Sequence, residues 1–316
     1  MEIIENKNSA ETLMTPYVVT VVLTWNDIEM TSRCLDSLYL STYKNQDIVV
    51  VDNGSKIPGC AILKDRYPDI VTVQLKRNYG FTGGCNRGIE KALEMGAEYV
   101  FLLNNDTIVD TYALNELVTT MQKRPDVVIA SAILLFIDPP KRVRFYIAHV
   151  EVNKAFHHQP GKGSPYSEEF KKVFDTDFVP ACAVLIRAKA LYENGLFDES
   201  FFTNWEDYDF CCRYHKAGWN FITVGTAEVV HAHGQTTGKI SPFITYLSTR
   251  NRLICLFRHG TFWGIIKNSF FYFRSIFWQM KSYGLYNWPC HKALLLGIFH
   301  FLIGVKGNSG PQNTKD

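Results

Sequence analysis

Four short runs rich in Val, Ile and Leu constrain the fold more than anything else in the chain. They lie at 17–24 (YVVTVVLT), 47–52 (DIVVVD), 70–75 and 99–103. A helix-like stretch at 29–40 separates the first two, and a second at 85–95, entered through Gly80, Gly83 and Gly84, separates the last two. Runs that are apolar on both faces, alternating with helices, describe a mostly parallel sheet covered on both sides. Three of the runs end in polar clusters: TWND at 24–27, DNGS at 52–55 and NNDT at 104–107. Each cluster alone is also common turn chemistry. At successive strand ends they are expected to converge, because ligands of open α/β sheets bind outside the carboxyl ends of the strands.

Downstream, 138–170 is rich in Pro, Lys, His and Gly and reads as a loop or hairpin region whose pairing the sequence leaves open. A buried strand is expected at 179–186, and a short helix at 188–194 closed by Gly195. Glu206, Asp207 and Asp209, with Arg213 four residues after the last acid, mark the start of another helix with carboxylates at its positive end. There is no internal repeat. At 316 residues, 47% hydrophobic and 20% charged, the chain is excluded from the disordered and collagen-like classes.

The formal net charge of +2 argues against nucleic acid as a partner held by bulk electrostatics, but it conceals a division. Residues 229–315 hold ten Lys or Arg and no acid, whereas the preceding part carries a net charge of −7. Within 261–283, Lys267, Arg274 and Lys281 recur every seven residues beside Trp263, Phe270, Phe271, Phe273, Phe277 and Trp278. One amphipathic helix is expected here, either lying on an anionic membrane surface or packing on the rest of the protein. Gly304, Gly307 and Gly310 point to a frayed end. The longest strongly apolar segment without charge, 293–305, is shorter than the roughly 20 residues needed to span a bilayer. Eight scattered cysteines without CxxC spacing read as reduced thiols, and the N-terminus has no secretory pattern. The expected setting is cytoplasmic, with peripheral attachment to the inner face of the cytoplasmic membrane where the tail binds lipid.

Neither GxGxxG nor GxxxxGK[ST] is present, so nicotinamide oxidoreductase and P-loop nucleotidase lose support. What remains is an early acid (Asp52), a central one (Asp106), an adjacent pair (Glu206, Asp207) and His231 in an HAHG run. A divalent cation, Mg²⁺ or Mn²⁺, held by Asp106 and His231 would keep positions open for a substrate diphosphate, and a separate carboxylate would serve as base. Taken alone, His231 also reads as a satisfied histidine near a strand end.

These residues resemble the inverting glycosyltransferases of family 2, with their GT-A nucleotide-diphosphosugar fold, and most closely the bacterial branch containing rhamnosyltransferases. The resemblance covers about 17–255 through VVLTWN, VVDNGS, NYGFTGGCNRG, LLNNDT, PACAVLIR, GLFDESFF, WEDYDFCCR, the histidine segment and YLSTRN, in that order. It implies a catalytic domain at 17–240, which the residues themselves flank with a polar tail at 1–16 and a basic aromatic helical extension at 241–316. By the same resemblance Thr24, Trp25, Asn26, Asp52 and Asn78 line the nucleotide pocket, and Asn104 and Asp106 stand at the family's DxD motif, with Asn at its first position. Asp207 is the base, Trp205 and Glu206 shape the sugar and acceptor side, and His231, or His233 in its place, helps with metal or diphosphate. The implied reaction moves a sugar, with dTDP-rhamnose as first choice of donor, onto a glycan or polyprenyl-linked glycan. A UDP-hexose donor and a non-catalytic sugar-nucleotide or glycan-binding subunit are the alternatives. Asp207, through like-charge proximity to Glu206, is expected to have a raised pKa.

Overall fold

The computed structural model describes residues 15–138, 140–232, 241–284 and 287–310; the first fourteen residues of the expected tail and His233 lie outside them. The chain opens with β1 (Val18–Thr24), α1 (Ile28–Tyr39), β2 (Gln46–Asp52), α2 (Cys60–Arg66), β3 (Val71–Gln74), α3 (Gly80–Glu94) and β4 (Tyr99–Asn104). Their strands form a parallel half-sheet in the order β3-β2-β1-β4. Val22 stands opposite Val50 on one side and Leu103 on the other, so the three polar clusters emerge at one edge. β1 is apolar on both faces because Val18, Val19, Val21 and Val22 are all fully buried.

α3 begins at Gly80, five residues before the stretch expected at 85–95, so the glycines belong to the helix. They permit close packing: a Cβ on Gly84 would strike Leu23, and one on Gly88 would strike Val21 and Val51. The helix therefore lies against the strands at backbone distance.

The second half contains β5 (Thr107–Val109), α4 (Ala113–Lys123), β6 (Val127–Phe136), β7 (Val143–Phe145), β8 (His149–Glu151), β9 (Phe156–His158), β10 (Val173–Thr176), β11 (Ala183–Arg187), α5 (Ala188–Asn194), α6 (Glu206–Lys216) and β12 (Asn220–His231). β11 enters antiparallel between β4 and β6, and β12 pairs parallel with β6, giving the mixed order β10-β12-β6-β11-β4-β1-β2-β3. The 138–170 region resolves into β7 on β6 and the separate hairpin β8–β9. The strand expected at 179–186 starts only at Ala183, because Cys182 N turns back onto Pro180 O at 2.7 Å while Cys182 O receives Asn104 N at 2.9 Å. This is the mixed, mostly parallel α/β architecture that the resemblance implied.

Four helices complete the protein: α7 (Pro242–His259), α8 (Phe262–Lys267), α9 (Ser269–Tyr283) and α10 (Trp288–Leu302). α7 starts where Ser241 Oγ accepts Ile244 N at 3.2 Å and Pro242 occupies the first turn. The single helix expected over 261–283 is broken at Asn268, whose Nδ2 donates to Gly264 O at 2.8 Å and closes α8. The end expected to fray is tied down, since Gly307 N donates to Ser200 O at 2.8 Å and Gly307 O accepts from Arg250. Among the described residues no helix is long and apolar enough to cross a membrane.

Candidate active site

A cavity of about 820 Å³ opens at the carboxyl ends of β1, β4 and β12. Thr24, Trp25, Asn26, Asn104, Asp106, Glu206, Asp207 and His231 all line it, so residues more than 200 positions apart share one wall. Asn26 holds a left-handed φ of 56°. Its N–H donates to Ser55 Oγ and its Oδ1 accepts from Lys56 N, both at 2.8 Å, which stitches the β1 and β2 loops together.

Asp52, Asn78 and Trp205 lie outside this lining. Asp52 is fully buried; its Oδ1 accepts from Ser55 N at 2.9 Å and its Oδ2 from Gly59 N at 2.6 Å. Asn78 Oδ1 accepts from Gly80 N at 2.7 Å and from Asn53 Nδ2 at 3.1 Å. Both side chains satisfy loop N–H groups, the alternative use of short polar residues at strand ends. Trp205 instead borders a second cavity beside Arg252.

Asp106 and His231 come together at the end of β12, with Nε2 2.9 Å from Asp106 Oδ1. Burial lowers the imidazole pKa, but Cys182 and the Asp106 carboxylate facing it outweigh burial and raise it to about 9. A carboxylate oxygen and an imidazole nitrogen at one wall fit a Mn²⁺- or Mg²⁺-type ion that draws its other ligands from substrate and water, provided the imidazole releases its proton. Among the described residues no group of three or more His, Cys, Asp or Glu is arranged to hold a metal ion, so substrate and water would have to complete the set.

The carboxylate pair opens α6. Asp207 Oδ1 accepts Tyr208 N at 2.8 Å, and the Ala181 N–H also points at the carboxylate. Burial raises the pKa of Asp207 against these N–H groups. Glu206 rises further, through burial first and the Asp207 charge second, and its buried Oε2 has no hydrogen-bond partner among the described residues. The expected influence thus runs the other way: Asp207 keeps Glu206 neutral, and Asp207 is left as the ionised member of the pair. Asp209 faces inward, where Arg213 Nε (2.9 Å), Arg258 Nη1 (2.8 Å) and His259 Nε2 (2.8 Å) surround it and tie α6 to α7.

The loop before α6 is strained, with Phe202, Asn204 and Trp205 at φ of 66°, 67° and 74°. Asn251 Nδ2 holds it by donating to the carbonyls of Phe201 and Thr203, each at 2.9 Å, and Asn204 at 2.8 Å. Fully buried Arg250 adds Ser200 O and Phe201 O at 3.2 and 3.3 Å. The RN of YLSTRN therefore positions the carboxylates. Sequence reasoning also missed Arg144, Gln159 and Lys162, which bring two cations into the cavity from the 138–170 region. Their only signal was that region's richness in Lys and His.

The sequence model described as glycosyl transferase family 2 matches residues 20–194, more than half of the chain. An N-acetylglucosaminyl-diphospho-decaprenol L-rhamnosyltransferase of Mycobacterium tuberculosis is 25% identical over 79% of this chain and 87% of its own length. The dTDP-rhamnosyl transferase RfbF of Shigella flexneri is 25% identical over 77% of this chain and 81% of its own. Among solved structures, GalNAc-T7 with UDP, GalNAc and Mn²⁺ superposes with a TM-score of 0.61 at 14% identity, covering 77% of this chain but only 48% of that one. S. aureus TarS 1-349 gives 0.57 at 14% identity, over 92% of this chain and 81% of that one. At such identity the two structures establish the fold alone.

Proposed function

The chain belongs to glycosyl transferase family 2, and from that membership we propose that it is an inverting enzyme of surface polysaccharide synthesis, with dTDP-rhamnose as the first donor to test and a hydroxyl of a glycan or polyprenyl-linked glycan as acceptor. The observation that carries this reading is a single cavity lined by the Asp207 carboxylate and, separately, by Asp106, His231, Arg144 and Lys162, a set suited to a diphosphate. The names of the two rhamnosyltransferase relatives support the donor.

In the proposed reaction the acceptor oxygen bonds to the anomeric carbon as the bond to the diphosphate oxygen breaks, and the hydroxyl proton passes to Asp207. Attack from the face opposite the leaving group inverts the configuration. Arg144 and Lys162 meet the charge that grows on the departing diphosphate. A divalent ion at Asp106 and His231 would supply further charge stabilisation there. Neutral Glu206 keeps a second negative charge away from the base. Thr24, Trp25, Asn26 and Asn104 line the donor side, while Asp52 and Asn78 shape the loops around it.

A thermal-shift panel of nucleotide sugars with Mn²⁺ or Mg²⁺ tests the reading, since a ligand binding only the folded state stabilises it. dTDP-rhamnose is expected to give the largest shift. A larger shift with a UDP-hexose would reassign the donor, and no shift with any nucleotide sugar would sink the proposal.

The helical extension is proposed to rest on an anionic lipid surface. Phe262, Trp263, Phe270, Phe273 and Phe277 stand exposed among Lys267, Arg274 and Lys281. Co-sedimentation with phosphatidylglycerol vesicles should weaken, without vanishing, as salt rises. Equal binding by a Phe273→Ser, Phe277→Ser variant would overturn this.

A further inference from the structure

A second cavity of about 400 Å³ is unused by the reaction above. Its walls come from four places: His157 on β9, Trp205 ahead of the carboxylate pair, Arg252 on α7, and Phe271, Arg274 and Trp278 on α9. The two linings are neighbours along the chain: Trp205 precedes Glu206 and Asp207, and Gln159 comes two residues after His157, with Glu206, Asp207 and Gln159 in the first cavity.

The lining has two arginines and no acid. Arg252 has no carboxylate partner among the described residues. Its Nε donates to Ala155 O at 3.1 Å, Nη1 to Ser275 Oγ at 2.7 Å and Nη2 to Lys154 O at 3.3 Å, all neutral acceptors. A guanidinium carries five N–H donors, so its fork retains spare ones. The rings of Trp205, Phe271 and Tyr272 lie 5.8, 5.9 and 5.9 Å from its central carbon and withdraw it from water. A half-buried cation without a counter-ion favours an incoming anion, and a planar fork suits phosphate oxygens.

α9 adds an apolar ridge. Phe270, Phe273 and Phe277 are 76%, 72% and 65% exposed, and at about 100° per residue they share one helix face with Arg274. One element thus offers a cation to the cavity and aromatic surface alongside it.

We propose that this second cavity binds the phosphate or diphosphate of a lipid-linked acceptor, with Arg252 and Arg274 on the phosphate oxygens, the sugar passing Trp205 toward Asp207, and the hydrocarbon lying along Phe270, Phe273 and Phe277. The assignment rests on the glycosyltransferase reading of the first cavity and names its acceptor class.

Tryptophan fluorescence of the full chain, with Trp205 and Trp278 as reporters, tests it by titration with farnesyl diphosphate, inorganic pyrophosphate and farnesol. Parallel titrations with dTDP and UDP address the first cavity. Farnesyl diphosphate should bind saturably, and Arg274→Gln and Arg252→Gln should each weaken it about tenfold, the scale of a lost hydrogen bond to a charged group. Farnesol binding should not respond to either variant. Arg144→Gln should weaken the nucleotides and spare farnesyl diphosphate. If farnesyl diphosphate binds both arginine variants normally, or is lost in Arg144→Gln instead, the subsite is refuted. Pyrophosphate binding as tightly as farnesyl diphosphate would mark a free-phosphate site and refute the lipid assignment. Arg274 is exposed and its replacement leaves the packing intact, so that variant decides the matter even where Arg252→Gln fails to fold. Failure of dTDP and UDP to bind would count against the first-cavity reading and not against this one.

Discussion

Replacing Asn251 with Ala should disable catalysis without emptying the donor site. The Asn251 amide serves three carbonyls at 2.8–2.9 Å, of which Phe201 O is buried and the other two half-buried, while its Oδ1 accepts from Arg250 Nε at 3.0 Å and Nη2 at 2.8 Å. Leaving a buried polar group unpaired costs about 1–3 kcal/mol. With two N–H donors and one acceptor removed, the clamp loses on the order of 3–9 kcal/mol. The three left-handed residues it restrains, Phe202, Asn204 and Trp205, each store about 1–3 kcal/mol. The two sums are comparable, so the loop is expected to relax once the clamp is gone, and Asp207, two residues beyond it, shifts with it. A displacement near 1 Å at a reacting group costs about 10²-fold in rate. Turnover should fall by that factor or more, while dTDP or UDP affinity stays within about threefold, since the Thr24, Asn26 and Asp106 wall is untouched. The measurements are transfer rate, nucleotide titration and thermal melting. Normal turnover at temperatures where the variant is folded would refute the positioning argument, whatever the melting point.

Three further outcomes are expected. Asp207→Asn should keep nucleotide affinity and lose at least about 10² in turnover; because burial raises the Asp207 pKa and the base works ionised, wild-type turnover should decline as pH falls through a value above the ordinary carboxylate range, and a flat profile would count against that role. Asp106→Ala should lower Mn²⁺-dependent stabilisation by a nucleotide sugar, and no effect of a chelator on the unaltered protein would dismiss the ion. Burial works to raise the Asp209 pKa, but hydrogen bonds from His259 and Arg213 and the charges of Arg213 and Arg258 bring it down from 3.8 to about 2, so its contribution of about 2 kcal/mol is present above the unfolded pKa and lost as pH falls through the folded one; urea unfolding of Asp209→Asn at about pH 7 and pH 3 should show a deficit that shrinks by about half at the lower pH.

The parts of the site that were legible in the sequence were those written in local chemistry. The Val-rich strands, the polar clusters at their ends, Gly195 closing α5 and the acids opening α6 each carry their signal within a few residues. Asp52 was legible as a strand-end acid but not in its local use, because an acid there serves a loop as readily as a ligand and its bonds to the Ser55 and Gly59 N–H groups show only in the fold. The glycines of α3 misled: their role depends on Leu23, Val21 and Val51, which lie far away in sequence. Arg144 and Lys162 were out of reach because short strands and a hairpin in a Pro- and Gly-rich segment have no periodicity to read, yet their pairing decides which cations face the cavity.

The helical extension was expected to begin at residue 241, but packing divides it elsewhere. α7 shares the sheet's core through Cys255, carries the Arg250 and Asn251 clamp and meets Asp209 through Arg258 and His259. α10 returns onto it, burying Cys290, Ala293 and Leu294, with Gly297 close to Tyr246 O. We propose on this packing that both helices belong with the body formed by 17–240. What stands apart is α8 and α9, where no described side chain is fully buried and the exposed aromatics concentrate. A segment so poor in core contacts gains little by packing on its own chain. Its exposed aromatics, interleaved with Lys267, Arg274 and Lys281, are the ground on which the proposal of an anionic covering surface rests.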